Sequence, residues 1–327
     1  MTYGTTRTVG ALLATLLMLL PPAAAAATDA VAMLSALRAK GGEVRVKSAG
    51  TGDWRAATLF MELHQGDVVE ASGQAQAEIL YLRRAPNQPA TATVGAASPV
   101  TVSGKGRTGV SPSATSLVSE VATMFFKLKK KGPSEHVQLG GRGTTSAASE
   151  PVILGPRATR VLPGPLTFVW AGPDVPYTVS VLAPDGARIW TGSSPGVAPL
   201  SYAGTGDRPA AAGRYTWRLE TNGRYPEEQA TFEIVSEAEA RRVNRKLAEL
   251  EGNATGYPEN ALALLRAGVL INHELLEAAR TELTSALARQ PEDGALRYLL
   301  GEVYDRTGLS ERAAQAFAEA QAAGVRQ

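Results

Sequence analysis

LGEVYDRTGLSERAAQAFAEA, residues 300–320, repeats the spacing of RAGVLINHELLEAARTELTSA, residues 266–286, at an offset of 34 positions. Ala279, Leu283 and Ala286 recur as Ala313, Phe317 and Ala320, while Ala267 and Leu270 recur as Gly301 and Tyr304. Steps of three, four and seven residues put each set on one face of a helix. Small Ala and Gly at these places let paired helices approach, and the larger residues fill the gaps. The first copy departs from the second at Arg266, where the second has Leu300, and at Glu274, where it has Gly308. Upstream, Ser236-x-x-Glu239 reads as a capping box, Ala240, Val243, Leu247 and Leu250 as a buried stripe, and Gly252 as a stop. Residues 236–327 are therefore expected to be a helical repeat unit. Two copies and a capping helix lie near the minimum of about three units, so an end should need cover.

Working backwards, residues 151–235 change to short alternating runs: TFVW at 167–170, YTVSVLA at 177–183, ARIW at 187–190 and RYTWRLE at 214–220. Asp185-Gly186 between two of them predicts a two-residue hairpin turn. About seven such strands predict a β-sandwich with Trp170 and Trp217 between its sheets. Residues 28–103 show period two again, with Val44 and Val46 in GEVRVKS, a strand after Gly66-Asp67, and AQAEILYL at 75–82. Between these β units, 104–150 is rich in Gly, Ser, Thr and Ala around one helical island, SLVSEVATMFFKLKKKG. There Leu117, Val121, Met124, Phe125 and Leu128 share a face, and Lys127, Lys129, Lys130 and Lys131 crowd the end. Its apolar face is expected to dock on a neighbouring domain. Peripheral membrane contact through 114–131 is the other expectation for it.

Three resemblances follow from these residues. Gly42-x-Val44-x-Val46, Trp54, Leu63-x-x-Gly66-Asp67-x-Val69 and Ala75-x-Ala77-x-Ile79 resemble the FecR domain of bacterial envelope proteins over about 60 residues. The chain departs from that pattern at Arg83-Arg84-Ala85-Pro86-Asn87, where the family has a Gly turn. The segment 151–235 resembles immunoglobulin-like or fibronectin-type modules, without the Cys pair of a true immunoglobulin domain. Leu300-Gly301-x-x-Tyr304, Gly308, Ala313, Phe317 and Ala320, at period 34, resemble the tetratricopeptide repeat. The expected fold class is thus multidomain: an all-β FecR-like domain, an Ig/FnIII-like sandwich and an α-helical TPR-like array.

The N-terminus carries Arg7, an apolar run at 9–20, Pro21-Pro22 and alanines at 23–27, the three-part pattern of a secretory signal cleaved near Ala27. That run of about 12 residues is short of the roughly 20 that span a bilayer. A periplasmic location is the expectation. Of 327 residues, 33 are Lys or Arg and 31 Asp or Glu, a net +2 that provides no field for nucleic acid. With no Cys there are no disulfides, thiol nucleophiles or Cys-based metal sites.

Nothing in the sequence assembles into an active site. Gly192-Ser193-Ser194-Pro195-Gly196 has the form of a nucleophile elbow, but Pro195 lacks the N–H that must serve as oxyanion donor. His64, His136 and His273 fall in three different segments, so no metal set is expected. Gly104-Lys105-Gly106 and Gly140-Gly141-Arg142-Gly143 lack the Lys-Ser/Thr ending of a phosphate loop. No catalytic residue, cofactor or metal is expected. The favoured function is an exported, non-enzymatic binding or scaffold protein whose partners are envelope proteins or a cell-wall polymer. A FecR-type signalling role is the alternative and an envelope hydrolase the third reading. Tetratricopeptide arrays line their concave face with the first helix of each pair. Counting back from Gly301, that resemblance implies Tyr298, Glu302 and Asp305 as the exposed partner-binding residues, with Tyr298 as the anchor.

Overall fold

Alternation in GEVRVKS and AQAEILYL builds two packed sheets in the N-terminal unit of the computed structural model. It describes residues 30–39, 41–82, 87–104, 120–126, 150–203, 211–253 and 255–325. The expected signal segment 1–27, His136, Lys127 to Lys131 and the glycine cluster at 140–143 lie outside the described residues. One sheet runs in the order β4 (Glu62–Leu63), β1 (Ala32–Arg38), β6 (Gln76–Tyr81), β7 (Thr91–Val94). The other runs β3 (Trp54–Ala56), β2 (Val44–Lys47), β5 (Val68–Ala71), β8 (Val100–Thr101). Ala32, Leu34, Ala77, Ile79 and Tyr81 face Val44, Val46 and Val69 in the core between them. Asp67, 1% exposed, closes one end: its carboxylate accepts from His64 N at 2.8 Å and Ala49 N at 2.9 Å. Gly66-Asp67 is therefore turn chemistry.

β1 has no counterpart in the alternation read from Gly42 onward. Its Ala- and Leu-rich sequence favours helix locally, and burial overrides that preference. A bulge between Leu34 and Ala36 lets Leu34 and Leu37 both enter the inter-sheet core, while Met33 points to the opposite face. On that opposite face Met33, Leu80 and Leu82 are also buried, so the β4-β1-β6-β7 sheet has no solvent side in this region.

The second unit pairs β10 (Thr159–Val161), β16 (Glu228–Ile234), β15 (Gly213–Glu220), β12 (Tyr177–Leu182) and β13 (Arg188–Ser194) in one sheet. It sets β14 (Leu200–Tyr202), β11 (Leu166–Ala171) and β9 (Val152–Gly155) in the other. Phe168, Trp170, Tyr177, Tyr202, Trp217 and Phe232 fill the core between them. Trp217 Nε1 donates to Pro156 O at 2.7 Å. The β12–β13 turn corrects the two-residue expectation. Gly186 N donates to Ala183 O and Ala183 N to Ala187 O, giving a three-residue loop in which Gly186 alone takes positive φ, +84°. A two-residue type I′ turn needs positive φ at both central residues, and Asp185 does not supply it.

The C-terminal unit contains α2 (Glu237–Gly252), α3 (Glu259–Asn272), α4 (Leu276–Arg289), α5 (Gly294–Arg306) and α6 (Ser310–Ala322). Ser236 Oγ accepts from Glu239 N, one half of the capping box, while the Glu239 carboxylate pairs with Arg160 instead. The 34-residue offset is structural: Ala279 and Ala313, Leu283 and Phe317, and Ala286 and Ala320 are all buried at matching places in α4 and α6. A left-handed residue precedes each of these helices, Glu274 at φ +60° and Gly308 at φ +75°. Glycine adopts that region freely and glutamate at a cost of roughly 1–2 kcal/mol. Glu274→Gly should therefore raise the unfolding free energy by up to about 1 kcal/mol, while Gly308→Ala lowers it by about as much. Urea titration of both variants checks the contrast; a destabilised Glu274→Gly contradicts it.

Candidate functional site

Asp293 opens α5 by accepting from Ala295 N and Leu296 N, both at 3.0 Å. This start sets Tyr298 and Glu302 one turn apart on the same face. That face does not meet solvent. The Tyr298 ring lies edge-on to Phe60 at 5.9 Å and against Phe317 at 5.3 Å, and Phe60 stacks on Phe125 at 4.6 Å. Tyr298 is 5% exposed and Glu302 8%, while Asp305 is half-buried. Burial, and then the neighbouring Glu302 carboxylate, push the Tyr298 phenol well above its ordinary value, and its hydroxyl is hydrogen-bonded to Glu302. The expectation of an exposed Tyr298–Glu302 anchor is corrected: the chain itself fills this side of α5. Period and spacing identify a helix face but not what a segment more than 200 residues away lays over it.

The covering pieces are the β4-β1-β6-β7 sheet and helical residues 120–126 (α1). Val121, Met124 and Phe125 of α1 are buried against α3, where Gly268 leaves them room. A Cβ at Gly268 would sit 2.4 Å from Val121 Cγ1 and 3.0 Å from Phe125 Cζ. Glu120 ties α1 to the repeats by accepting from Lys246 Nζ at 2.8 Å and Asn272 Nδ2 at 2.7 Å. Over 120–126 the apolar face is thus packed against protein, and the rest of 114–131 lies outside the described residues.

Among the described residues, the short stretch 157–160 of the sandwich bonds to the repeats. Thr159 Oγ1 accepts from Leu276 N at 2.8 Å, capping α4, whose own N-cap residue Leu275 has no side-chain hydrogen bond. Arg160 pairs with both carboxylate oxygens of Glu239 at 2.6 Å, and Arg157 Nε donates to Thr307 O at 2.9 Å, beyond the end of α5. Beside this seam lies an open cleft of about 540 Å³ lined by Arg160, Arg214, Glu233, Glu274 and Arg306. Its cations and carboxylates are mixed, so it has no single-sign field for an ion.

A smaller cleft of about 200 Å³ lies where β1 and β6 meet α3 and α5, lined by Arg38, Glu78, Asn260 and Asp293. Asn260 Nδ2 donates to Asp293 Oδ2 at 3.1 Å. Burial first, and then the Asp293 carboxylate, raise the Glu78 carboxyl above the ordinary 4.5, against a hydrogen bond from Asn260. Glu78 Oε1 is itself buried without a partner. The folded chain then holds this proton more tightly than the unfolded chain does. The stability this confers is fully present below pH 4.5 and is lost as pH rises through the raised value. Glu78→Gln should raise the thermal midpoint at pH 7.5, with the gain vanishing near pH 4; an equal gain at both values would contradict the assignment. No residue pattern announced this pair, because Glu78 sits in β6 as an ordinary outward residue and Asp293 as a helix cap.

The other chemical strings resolve into structure. Ser194, 4% exposed, ends β13 and donates to Gly196 O at 2.8 Å, and a strand rather than a helix follows. Among the described residues no three His, Cys, Asp or Glu side chains converge to hold a metal.

No protein family matches the chain, and no curated protein does. Among solved structures it matches a crystal structure of a Salmonella alpha-2-macroglobulin mutant at 14% identity and a TM-score of 0.22. The match covers 60% of this chain and 17% of that protein, so the chain spans a small part of its length. A likeness that slight carries no argument about fold or function.

Proposed function

We propose that the chain is an exported, non-enzymatic binding or scaffold protein of the bacterial cell envelope. In this reading a FecR-like module, an Ig/FnIII-like sandwich and a tetratricopeptide-like array act as one body in the periplasm. The observation that supports it most is the continuous apolar cluster from Met33 and Phe60 through Phe125 to Tyr298 and Phe317. Side chains that would line a groove are used instead to join modules, which leaves the outer faces to meet envelope proteins or a cell-wall polymer. Fold resemblance alone names no ligand. No described helix is long and apolar enough to cross a membrane.

N-terminal sequencing of the protein from fractionated cells tests the export reading. A mature chain beginning just after Ala27 in the periplasmic fraction is expected, and a chain retaining Met1 in the membrane fraction overturns it. Turnover of broad hydrolase substrates that persists through purification and mutation controls would overturn the non-enzymatic reading.

A further inference from the structure

Folding buries or half-buries Trp170, Trp190 and Trp217 but leaves Trp54 41% exposed. With Val197 it is one of two exposed large apolar side chains among the described residues. It lies on β3, the edge strand of the β3-β2-β5-β8 sheet, where register puts Lys47 opposite Trp54 and Arg45 opposite Ala56. One strand further in, Val68 stands opposite Lys47 and Glu70 opposite Arg45. Because Val44, Val46, Val69 and Ala71 point into the core, this alternate set points outward. The Arg45 guanidinium lies 5.1 Å and the Lys47 ammonium 5.9 Å from the centre of the indole ring. Cations at such distances are attracted to the ring's electron-rich face and hold it in place. One carboxylate, Glu70, lies 3.8 Å from Arg45, leaving this patch with one net positive charge.

We infer that this outer sheet face, centred on Trp54, docks a carboxylated polysaccharide of the envelope. The inference rests on the binding-protein reading above and names the partner class and the face that meets it. A flat indole presents a π surface to the C–H face of a sugar ring, and the flanking cations match carboxylates along the polymer. The face is too shallow to enclose a small molecule, because pockets for such ligands bury most of their surface. A polymer compensates by engaging several sugars at once, at high effective concentration. An acidic protein fits less well. Protein interfaces have an apolar, Lys-depleted centre, whereas the apolar residues here are Trp54, Ala56 and Val68, with Lys47 between them.

The test titrates the full chain with polygalacturonate, with neutral dextran and poly-glutamate as comparisons, following indole emission and affinity electrophoresis. Polygalacturonate should bind, dextran at least ten-fold more weakly. Trp54→Ala, and separately Arg45→Ala with Lys47→Ala, should weaken polygalacturonate binding at least ten-fold without moving the thermal midpoint. Trp54→Phe should keep most of the affinity. The inference is overturned by no binding of polygalacturonate, by binding that Trp54→Ala leaves unchanged, or by equally tight, Trp54-dependent binding of poly-glutamate. Saturable capture of an envelope component by Trp54→Ala protein refutes this face and leaves the binding-protein reading in place. A chain that is not exported but still binds polygalacturonate through Trp54 does the reverse.

Discussion

Phe125→Ala should cost about 3–5 kcal/mol and uncouple the N-terminal β unit from the helical repeats. Phe125 is fully buried, stacked on Phe60 of the β unit on one side and packed against α3 on the other. Removing its ring deletes apolar contacts on both sides at once and leaves a cavity that neither rigid neighbour can close. The expected result is a lower first transition in thermal or urea unfolding, with the β unit and the repeats melting separately where the native chain melts as one. Gly268→Ala should act in the same direction with a smaller effect, because its methyl would meet Val121 at 2.4 Å and push α1 outward. Glu120→Ala, which breaks a half-exposed pair with Lys246, should cost less than about 1 kcal/mol. If Phe125→Ala proves as mild as Glu120→Ala, α1 does not join the two units.

Much of this architecture is legible locally. Alternation in 44–47 and 75–82 marks strands, and steps of three and four in 279–286 and 313–320 mark helices, because each pattern is set by one element's own geometry. β1 is not legible this way: AMLSALR favours helix by composition and becomes a strand only because both its faces are buried. The apolar run Ile79-Leu80-Tyr81-Leu82 did carry a signal, since an unbroken run in a strand means cover on both sides. Its partner was not specified, and that partner proved to be the repeat array. The same gap explains the site. Counting along α5 places Tyr298 and Glu302 on one face, and only tertiary packing decides that this face meets Phe60 rather than solvent. Glu78 and Asp293 come together for the same non-local reason, across 215 residues of chain.

Replacing Tyr298 by Ala and Glu302 by Lys discriminates most sharply between a covered and an open α5. Were the face open, the double variant would unfold like the native chain. In the structure, Tyr298→Ala removes a 5%-exposed ring held by Phe60 and Phe317, a loss of about 3–5 kcal/mol on the scale of other buried aromatics. Glu302→Lys then puts an ammonium where a buried carboxylate pairs with the Tyr298 hydroxyl, which adds the cost of an unpaired buried charge. The two residues touch, so their effects should not simply add. The double variant is expected to lose its cooperative transition at physiological temperature. Tyr298→Phe keeps the ring and removes only the hydroxyl, so it should cost about 1–2 kcal/mol, the price of one hydrogen bond to a buried carboxylate. Circular dichroism melts of the three proteins separate the cases. A native-like melt for Tyr298→Ala would mean that the ring stands in water and that the repeat groove is open to a partner.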